Sequence, residues 1–312
     1  MTAPSIIVFG DLNLDTSVRI EQFPLYVGDT LFSFHGISDI IGGAATNVAV
    51  GLRQLGAQVV FGSVIGNDGI GDYVLGVVTE KGLDTCYIRR DWDTTSRTVV
   101  VIDAHGNRQC INDPKYVHTY RYPETELADI LRRADLVYTS TQNWCRHLAH
   151  TAHAQGKMVA VDVQAIIDVD EYHRDFITAA DIVLLSTERL SVHSHDFMRK
   201  LWFDFDVSVV VATHGEHGAT LGVRETQTID YQRSFDFGAV LDKTGAGDSF
   251  CAGFLAAVAA KQSFMTALTS GQLTAAHKIM HKGSTNGFPS RTALDALLAA
   301  YETGTPWPIP KD

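Results

Sequence analysis

The stretch DKTGAGDSFCAGF, residues 242–254, sets three small residues and an acid at the start of an apolar run that predicts a helix to about residue 260. The first turn of a helix has unpaired N–H groups and roughly half a positive charge. Gly245, Ala246 and Gly247 let an anionic oxygen approach those amides without side-chain obstruction, and Asp248 falls in the same turn. Bare amides beside a carboxylate are what a transferring phosphoryl group and its attacking hydroxyl both need, with Asp248 as general base. Taken alone, the same residues also read as a tight turn in which Asp248 caps a helix.

A second glycine-bearing segment lies about 200 residues earlier. In IIGGAATNVAVGLRQLGA, residues 40–57, Gly42 and Gly43 allow close backbone approach. Ala49, Leu52 and Leu55 mark one face of a following helix that Gly56 ends, with Asn47 in its first turn. A third element is DLNLD, residues 11–15, directly after the apolar strand predicted at 5–10.

With these three segments in place, the sequence resembles the PfkB (ribokinase-like) family of carbohydrate and nucleoside kinases. GGAATN followed by GSVIGNDGIGD at 62–72 is similar to its N-terminal signature, and DKTGAGDSF to its C-terminal one. The resemblance runs over nearly the whole chain and implies an α/β fold: a ribokinase-like three-layer sandwich with a mostly parallel central sheet and a small β lid. It implies one kinase domain over 1–312, with lid strands at about 16–40 and 96–112, often shared across a dimer.

The implied activity is transfer of the γ-phosphoryl group of ATP to a hydroxyl of a sugar or sugar derivative, with Mg2+ and K+ as ions. A nucleoside kinase of the same family, or a non-catalytic sugar-binding regulatory protein, is the alternative. Carried onto matching positions, the resemblance makes Asp248 the base and the amides of Gly245, Ala246 and Gly247 the anion hole. Asn13 and Asp15 are implied sugar contacts, as are Gly42, Gly43 and Asn47. Thr213, Gly215 and Gly218 of VVVATHGEHGA lie on the nucleotide side with Ser186, Gln272 and Gly283. Asp242 and Thr244 match oxygen donors to a monovalent cation, and Glu188 an indirect magnesium contact.

Three departures from the family pattern bear on this. Lys243 stands where Thr is more usual and leaves potassium dependence open. In LLSTERL, 184–190, Ser186 and Arg189 replace the Asn and Glu of an NxxE motif. STQNW, 140–144, lacks the acid by which ribokinase itself holds its sugar.

Composition agrees with this reading. The 312 residues are 45% hydrophobic, enough for one large α/β domain. A net charge of −11 without a Lys/Arg cluster speaks against nucleic acid or an anionic membrane as partner. The four cysteines have no CxxC spacing, and the N-terminus lacks a basic region and a long apolar run, so cytoplasm is the expected compartment. A dehydrogenase GxGxxG after the first strand and a P-loop GxxxxGK[ST] are both missing.

Apolar runs at 59–64, 136–139, 158–163, 182–185 and 207–212 read as buried parallel strands. Helices are predicted at 71–81, 123–133, 146–155, 265–281 and 291–302, and the tail 306–312 as loosely held. His147, His150 and His153 share a helix face, but no acid or cysteine completes a metal set. His214 and His217 read as loop residues flanking the nucleotide segment. Arg97 and Arg108 read as solvated strand residues, or as contacts for a negatively charged substrate.

Overall fold

The computed structural model describes residues 5–308 apart from 26, 27, 29, 116–118 and 239. In chain order its elements are β1 (Ser5–Phe9), β2 (Asn13–Arg19), β3 (Ile37–Gly42), α1 (Ala44–Gln54), β4 (Gln58–Gly66), α2 (Gly69–Glu80), β5 (Ile88–Trp92), β6 (Arg97–Ile102) and β7 (Arg108–Asp113). There follow α3 (Glu124–Leu131), β8 (Leu136–Ser140), α4 (Cys145–Ala154), β9 (Met158–Asp162), α5 (Glu171–Thr178), β10 (Ile182–Ser186), α6 (Ser194–Asp204) and β11 (Val209–Thr213). The chain closes with β12 (Ala219–Val223), β13 (Thr228–Gln232), α7 (Ala246–Ala259), α8 (Phe264–Lys278) and α9 (Arg291–Thr303).

Strands that are apolar on both faces need cover on both faces, and this chain supplies it. Nine strands form one sheet in the order β13-β12-β11-β10-β9-β8-β1-β4-β5, parallel except at the β11–β12 and β12–β13 pairs. Alternate residues of β1 enter opposite cores. Ile6 and Val8 pack with α1, α2, α7, α8 and α9, whereas Ile7 and Phe9 pack with α3 to α6. The result is the expected three layers. Helices α7 and α8 are buried nearly all round, and small residues let them approach: Gly253 of α7 faces Ser270 and Thr274, where a Cβ would collide with both.

A separate four-stranded sheet, in the order β3-β2-β6-β7, provides the small β layer. Its strands come from the two predicted ribbons, but β2 pairs with β6 in parallel, so the ribbons lie side by side in one sheet. β2 begins at Asn13, earlier than the predicted ribbon, which puts Asn13 and Asp15 two apart on a strand and on one face.

Elements β5, α5, α6, β12 and β13 were not among the predicted ones. α5 and α6 bury only Phe176, Ile177, Phe197, Met198, Leu201 and Trp202 among charged neighbours, and β13 is largely exposed. These short segments carry few apolar residues, although those of α5 fall on one face of the helix. The helix predicted at 265–281 ends at Lys278, because residues 281–287 turn back toward the start of α7. In the tail, Trp307 packs edge-on to Phe235 and against Phe237, while 309–312 lie outside the described residues.

Candidate active site

The parallel sheet directs its carboxyl ends to one side, where open α/β sheets hold ligands. β1 ends at Phe9, and the chain turns through Gly10 to Asp11. Asp11 fixes the start of α1: its carboxylate accepts the Ala44 and Ala45 amides at 3.0 and 3.3 Å, and its carbonyl accepts the Thr46 hydroxyl at 2.7 Å. Gly43, at φ 112°, leads into this helix where a Cβ would collide with the Asp11 carbonyl. Asn47 is thereby held in the first turn of α1, buried, with its amide aimed across the cleft.

On the other side of that cleft stands α7. Gly245 precedes it in the left-handed region, φ 79°, with Ser284 so close that a Cβ would collide with the Ser284 carbonyl. The Ala246 amide donates to Lys243 O at 3.2 Å and the Ser249 amide to Gly245 O at 2.9 Å. The amides of Gly245, Gly247 and Asp248 are left without a backbone partner among the described residues, so of the three amides expected to form the anion hole only that of Ala246 is engaged within the protein. Among the described residues nothing lies within 4 Å of where a Gly247 Cβ would stand, so their packing does not account for the glycine there.

Asn47 and Asp248 meet. The Asn47 Nδ2 donates to Asp248 Oδ2 at 2.6 Å, joining the two glycine segments across 201 residues of sequence. Among the described residues Asn47 Oδ1 is buried without a partner, an acceptor on the same side chain. Asp248 is enclosed on most sides yet keeps a partial opening to solvent, as a group at the foot of a cleft does. Desolvation, opposed by the Asn47 hydrogen bond and reinforced by Asp162 and Asp11, pushes its carboxyl up to about 7. A carboxyl poised near neutrality is suited to taking a proton from an alcohol.

Asn13 and Asp15 form a second polar group nearby. Asn13 Nδ2 donates to Asp15 Oδ1 at 2.5 Å and to Thr98 Oγ1 at 3.3 Å. Burial, together with the charge of Asp11, raises the Asp15 carboxyl to about 6 against its hydrogen bonds to Thr98 and Asn13. Gly42 makes room for this acid, since a Cβ would overlap the Asp15 carboxylate. Gly42 and Gly43 thus admit protein groups of the site, Asp15 and Asp11, at the positions where a ligand was expected.

Of the residues expected on the nucleotide side, Ser186, Thr213, Gly215 and Gly218 lie at or just past the ends of β10 and β11, whereas Gln272 lies in α8 and Gly283 beyond it against Asp242. Ser186 accepts the Glu188 amide in a short 3-10 turn, and Glu188 is exposed. Thr213 donates to Leu185 O, and His214 is pinned between the hydroxyls of Thr187 and Thr220 at 3.0 and 2.7 Å. Gly215 is exposed at φ 58°, while Gly218 is buried at φ 119° against the Gln232 carbonyl, so the hairpin itself needs it. Gln272 is nearly buried and gives its amide to Gln232 O at 3.1 Å, so it is already partnered within the protein.

Two ion assignments meet the geometry differently. Among the described residues no three His, Cys, Asp or Glu side chains form a metal cage. Magnesium ordinarily keeps its waters and binds through one or two carboxylates and substrate phosphates, so it calls for no such cage, and Glu188 offers an exposed carboxylate just past the end of β10. Potassium does not fit Asp242 and Thr244 well. The Asp242 carboxylate accepts the Thr244 and Gly283 amides, each at 2.9 Å. Burial would raise this carboxyl, but the Gly283 and Thr244 amides and the charge of Lys278 hold it below the ordinary value. A cation of the protein itself therefore already acts there.

Sequence reasoning passed over several residues of this constellation. Asp162, at the end of β9, is buried behind the base, and its carboxyl is raised to about 6 by desolvation against hydrogen bonds from the Gln164 amide and the Cys251 thiol. Its signal in sequence is an acid closing an apolar strand. Thr98 and Lys278 carried no local signal.

Comparison with known proteins follows this geometry. The model of the pfkB family carbohydrate kinase matches residues 3–291. Acarbose 7(IV)-phosphotransferase of an Actinoplanes species is 28% identical over 291 residues, covering 93% of this chain and 96% of that protein. Ribokinase of Haemophilus influenzae is 24% identical, covering 92% and 96%. Among solved structures, the microbiome-derived acarbose kinase Mak1 superposes with a TM-score of 0.85 at 25% identity, over 96% of this chain and 100% of that one. Arabidopsis thaliana ribokinase complexed with ribose and ATP gives 0.81 at 21% identity, over 94% and 98%.

Proposed function

We propose, on the premise that this chain belongs to the pfkB family of carbohydrate kinases, that Asp248 is the base with which it transfers the γ-phosphoryl group of ATP to a hydroxyl of a sugar or sugar derivative. One observation carries the assignment: a carboxyl raised to about 7 is hydrogen-bonded to Asn47 beside first-turn amides that have no backbone partner.

The sugar lies between Asn13, Asp15 and Asn47 and presents a hydroxyl to Asp248. As the hydroxyl oxygen attacks phosphorus in line, its proton passes to Asp248 Oδ and the bond to the ADP oxygen breaks. The amides of Gly247 and Asp248 meet the equatorial oxygens. Asn47 Oδ1 is the acceptor for a second hydroxyl, which satisfies the orphaned atom. Magnesium, when bound with the nucleotide, would supply neutralisation of phosphate charge, and Glu188 would contact its water shell.

The chain acts as one kinase domain, with the small β sheet as a lid. Leu31, Phe32, Phe34 and Ile37 are exposed around the β2–β3 connection, and all six residues of β7 are exposed. This favours a homodimer formed through the lid. All four cysteines are free, and among the described residues no helix is long and apolar enough to cross a membrane, in keeping with a cytoplasmic enzyme. Relatives named for acarbose and for ribose make glycosides as well as free sugars candidate acceptors.

An ATP-consumption screen over pentoses, hexoses, sugar phosphates, oligosaccharides and nucleosides tests the reading. Sugar-dependent ADP formation that is lost in Asp248→Asn supports it. ADP formation with nucleosides alone would move the assignment to the nucleoside branch, and none with any acceptor would leave a binding protein.

A further inference from the structure

Lys278, the last residue of α8, has no exposure to solvent. A buried ammonium persists only where surrounding charge and hydrogen bonds compensate it. Here its Nζ donates to the His281 carbonyl at 3.4 Å, just past the helix end, where the dipole is negative. Its charge acts on both Asp242 and Asp248, without a direct ion pair to either among the described residues.

The surroundings tie this ammonium to the reacting centre. Asp242 holds the Gly283 amide, and Ser284 packs against Gly245, the residue that sets the start of α7. The ring of His277 is engaged with Gly287 O and stacks on His281, so the two imidazoles flank the same turn. The turn 281–284 thus carries the ammonium on one side and the anion-hole loop on the other.

We propose that the Lys278 ammonium is the built-in monovalent cation of this kinase, a tethered charge beside Asp242 that makes phosphoryl transfer independent of added potassium or ammonium. The inference rests on the sugar kinase reading above. Three facts support it: Asp242 already accepts two amides, a diffusible cation there would be repelled by the ammonium, and the ammonium reaches a carbonyl of the very turn that frames Gly245. Lys278 touches no reacting atom. It is a positioning residue that fixes the loop and the field at the α7 N-terminus.

Cation exchange at constant ionic strength tests this. Replacing NaCl by KCl or NH4Cl is expected to leave both the melting temperature and the turnover of the wild-type protein unchanged. Lys278→Met, which keeps the volume without the charge, is expected to lower kcat roughly 10²-fold with substrate KM little altered. Lys278→Ala is expected to regain turnover and melting temperature with ammonium or potassium and not with sodium. A potassium-specific rise in melting temperature or rate in the wild type, or Lys278→Met with wild-type turnover, would overturn the proposal. If no acceptor supports ADP formation, the kinase reading fails on its own, and the wild-type melting temperatures still decide the cation question.

Discussion

Replacing Asp248 by Asn separates chemistry from stability, because the same carboxylate serves one at the expense of the other. Its folded value of about 7 lies above the 3.8 of a free carboxyl, so the fold favours the protonated form. The sign follows: the group's stabilising contribution is complete below pH 3.8 and is lost as pH rises through about 7. Ionised at pH 8, the carboxylate costs the fold at most about 4 kcal/mol, and at pH 5 about 2 kcal/mol. The opening of the cleft to solvent makes these upper values. An asparagine carries no such cost. Its carbonyl still accepts from Asn47 Nδ2, and its amide faces the unpartnered Asn47 Oδ1. We therefore expect Asp248→Asn to lose turnover by roughly 10²–10⁴ with KM values for sugar and ATP nearly intact. We also expect it to melt higher than the wild type at pH 8, by a margin that narrows at pH 5. Asp162 titrates in the same range and its charge acts on Asp248, so the same comparison in an Asp162→Asn background separates the two groups. Initial rates of ATP consumption and thermal melts at the two pH values read both effects. Wild-type turnover in the variant, or melting temperatures of the two proteins that run parallel from pH 5 to 8, would refute the reasoning.

Gly247→Ala is expected to raise the melting temperature, since Ala in a helix gains roughly 0.5–1 kcal/mol over Gly and no protein atom stands in its way, while lowering kcat/KM roughly 10²-fold; undiminished kcat/KM would place the phosphoryl group elsewhere. Asp15→Asn is expected to raise the sugar KM roughly 10- to 100-fold, the loss of one charged hydrogen bond, with the ATP KM unchanged; sugar saturation curves decide, and an equal rise in both constants would remove Asp15 from the sugar site. In the wild type, kcat/KM is expected to climb with pH through about 7 as Asp248 ionises. A flat profile between pH 5 and 8 would deny Asp248 the role of base.

What could be read in the sequence was local. The GAGD turn, its acid and the helix behind it occupy a few consecutive residues, and glycine at Gly245 is dictated by a left-handed φ that the motif itself announces. The apolar strands were equally legible, because burial on both faces leaves uninterrupted runs. Lys278 was not, since a lysine in the last turn of a helix ordinarily reads as a solvated partner of the helix dipole. Only the packing of α8 against α7 and the return of residues 281–287 enclose it. Gln272 shows the converse: a residue marked for the adenine by position has its amide committed to Gln232 O, a contact across 40 residues of sequence that no spacing reveals. Gly42 and Gly43 were expected to let a ligand approach the backbone closely, whereas the groups that approach them in the fold are Asp15 and the Asp11 carbonyl.

The costs concentrated at the α1–α7 cleft are, taken together, hard to explain by folding alone. A raised carboxyl, an unpartnered Asn47 oxygen, two first-turn amides without backbone partners and a glycine facing open space all weaken the free protein. Any one of them has ordinary explanations. Their convergence on one point does not, unless something arrives that supplies a proton donor for the carboxylate and Asn47 Oδ1 and negative charge for the amides. An alcohol and a phosphoryl group supply both at once. The buried ammonium of Lys278 follows the same logic: burial lowers its pKa against the charges of Asp242 and Asp248, a desolvation cost the fold bears before any substrate binds, and a positive charge there favours the anionic transition state.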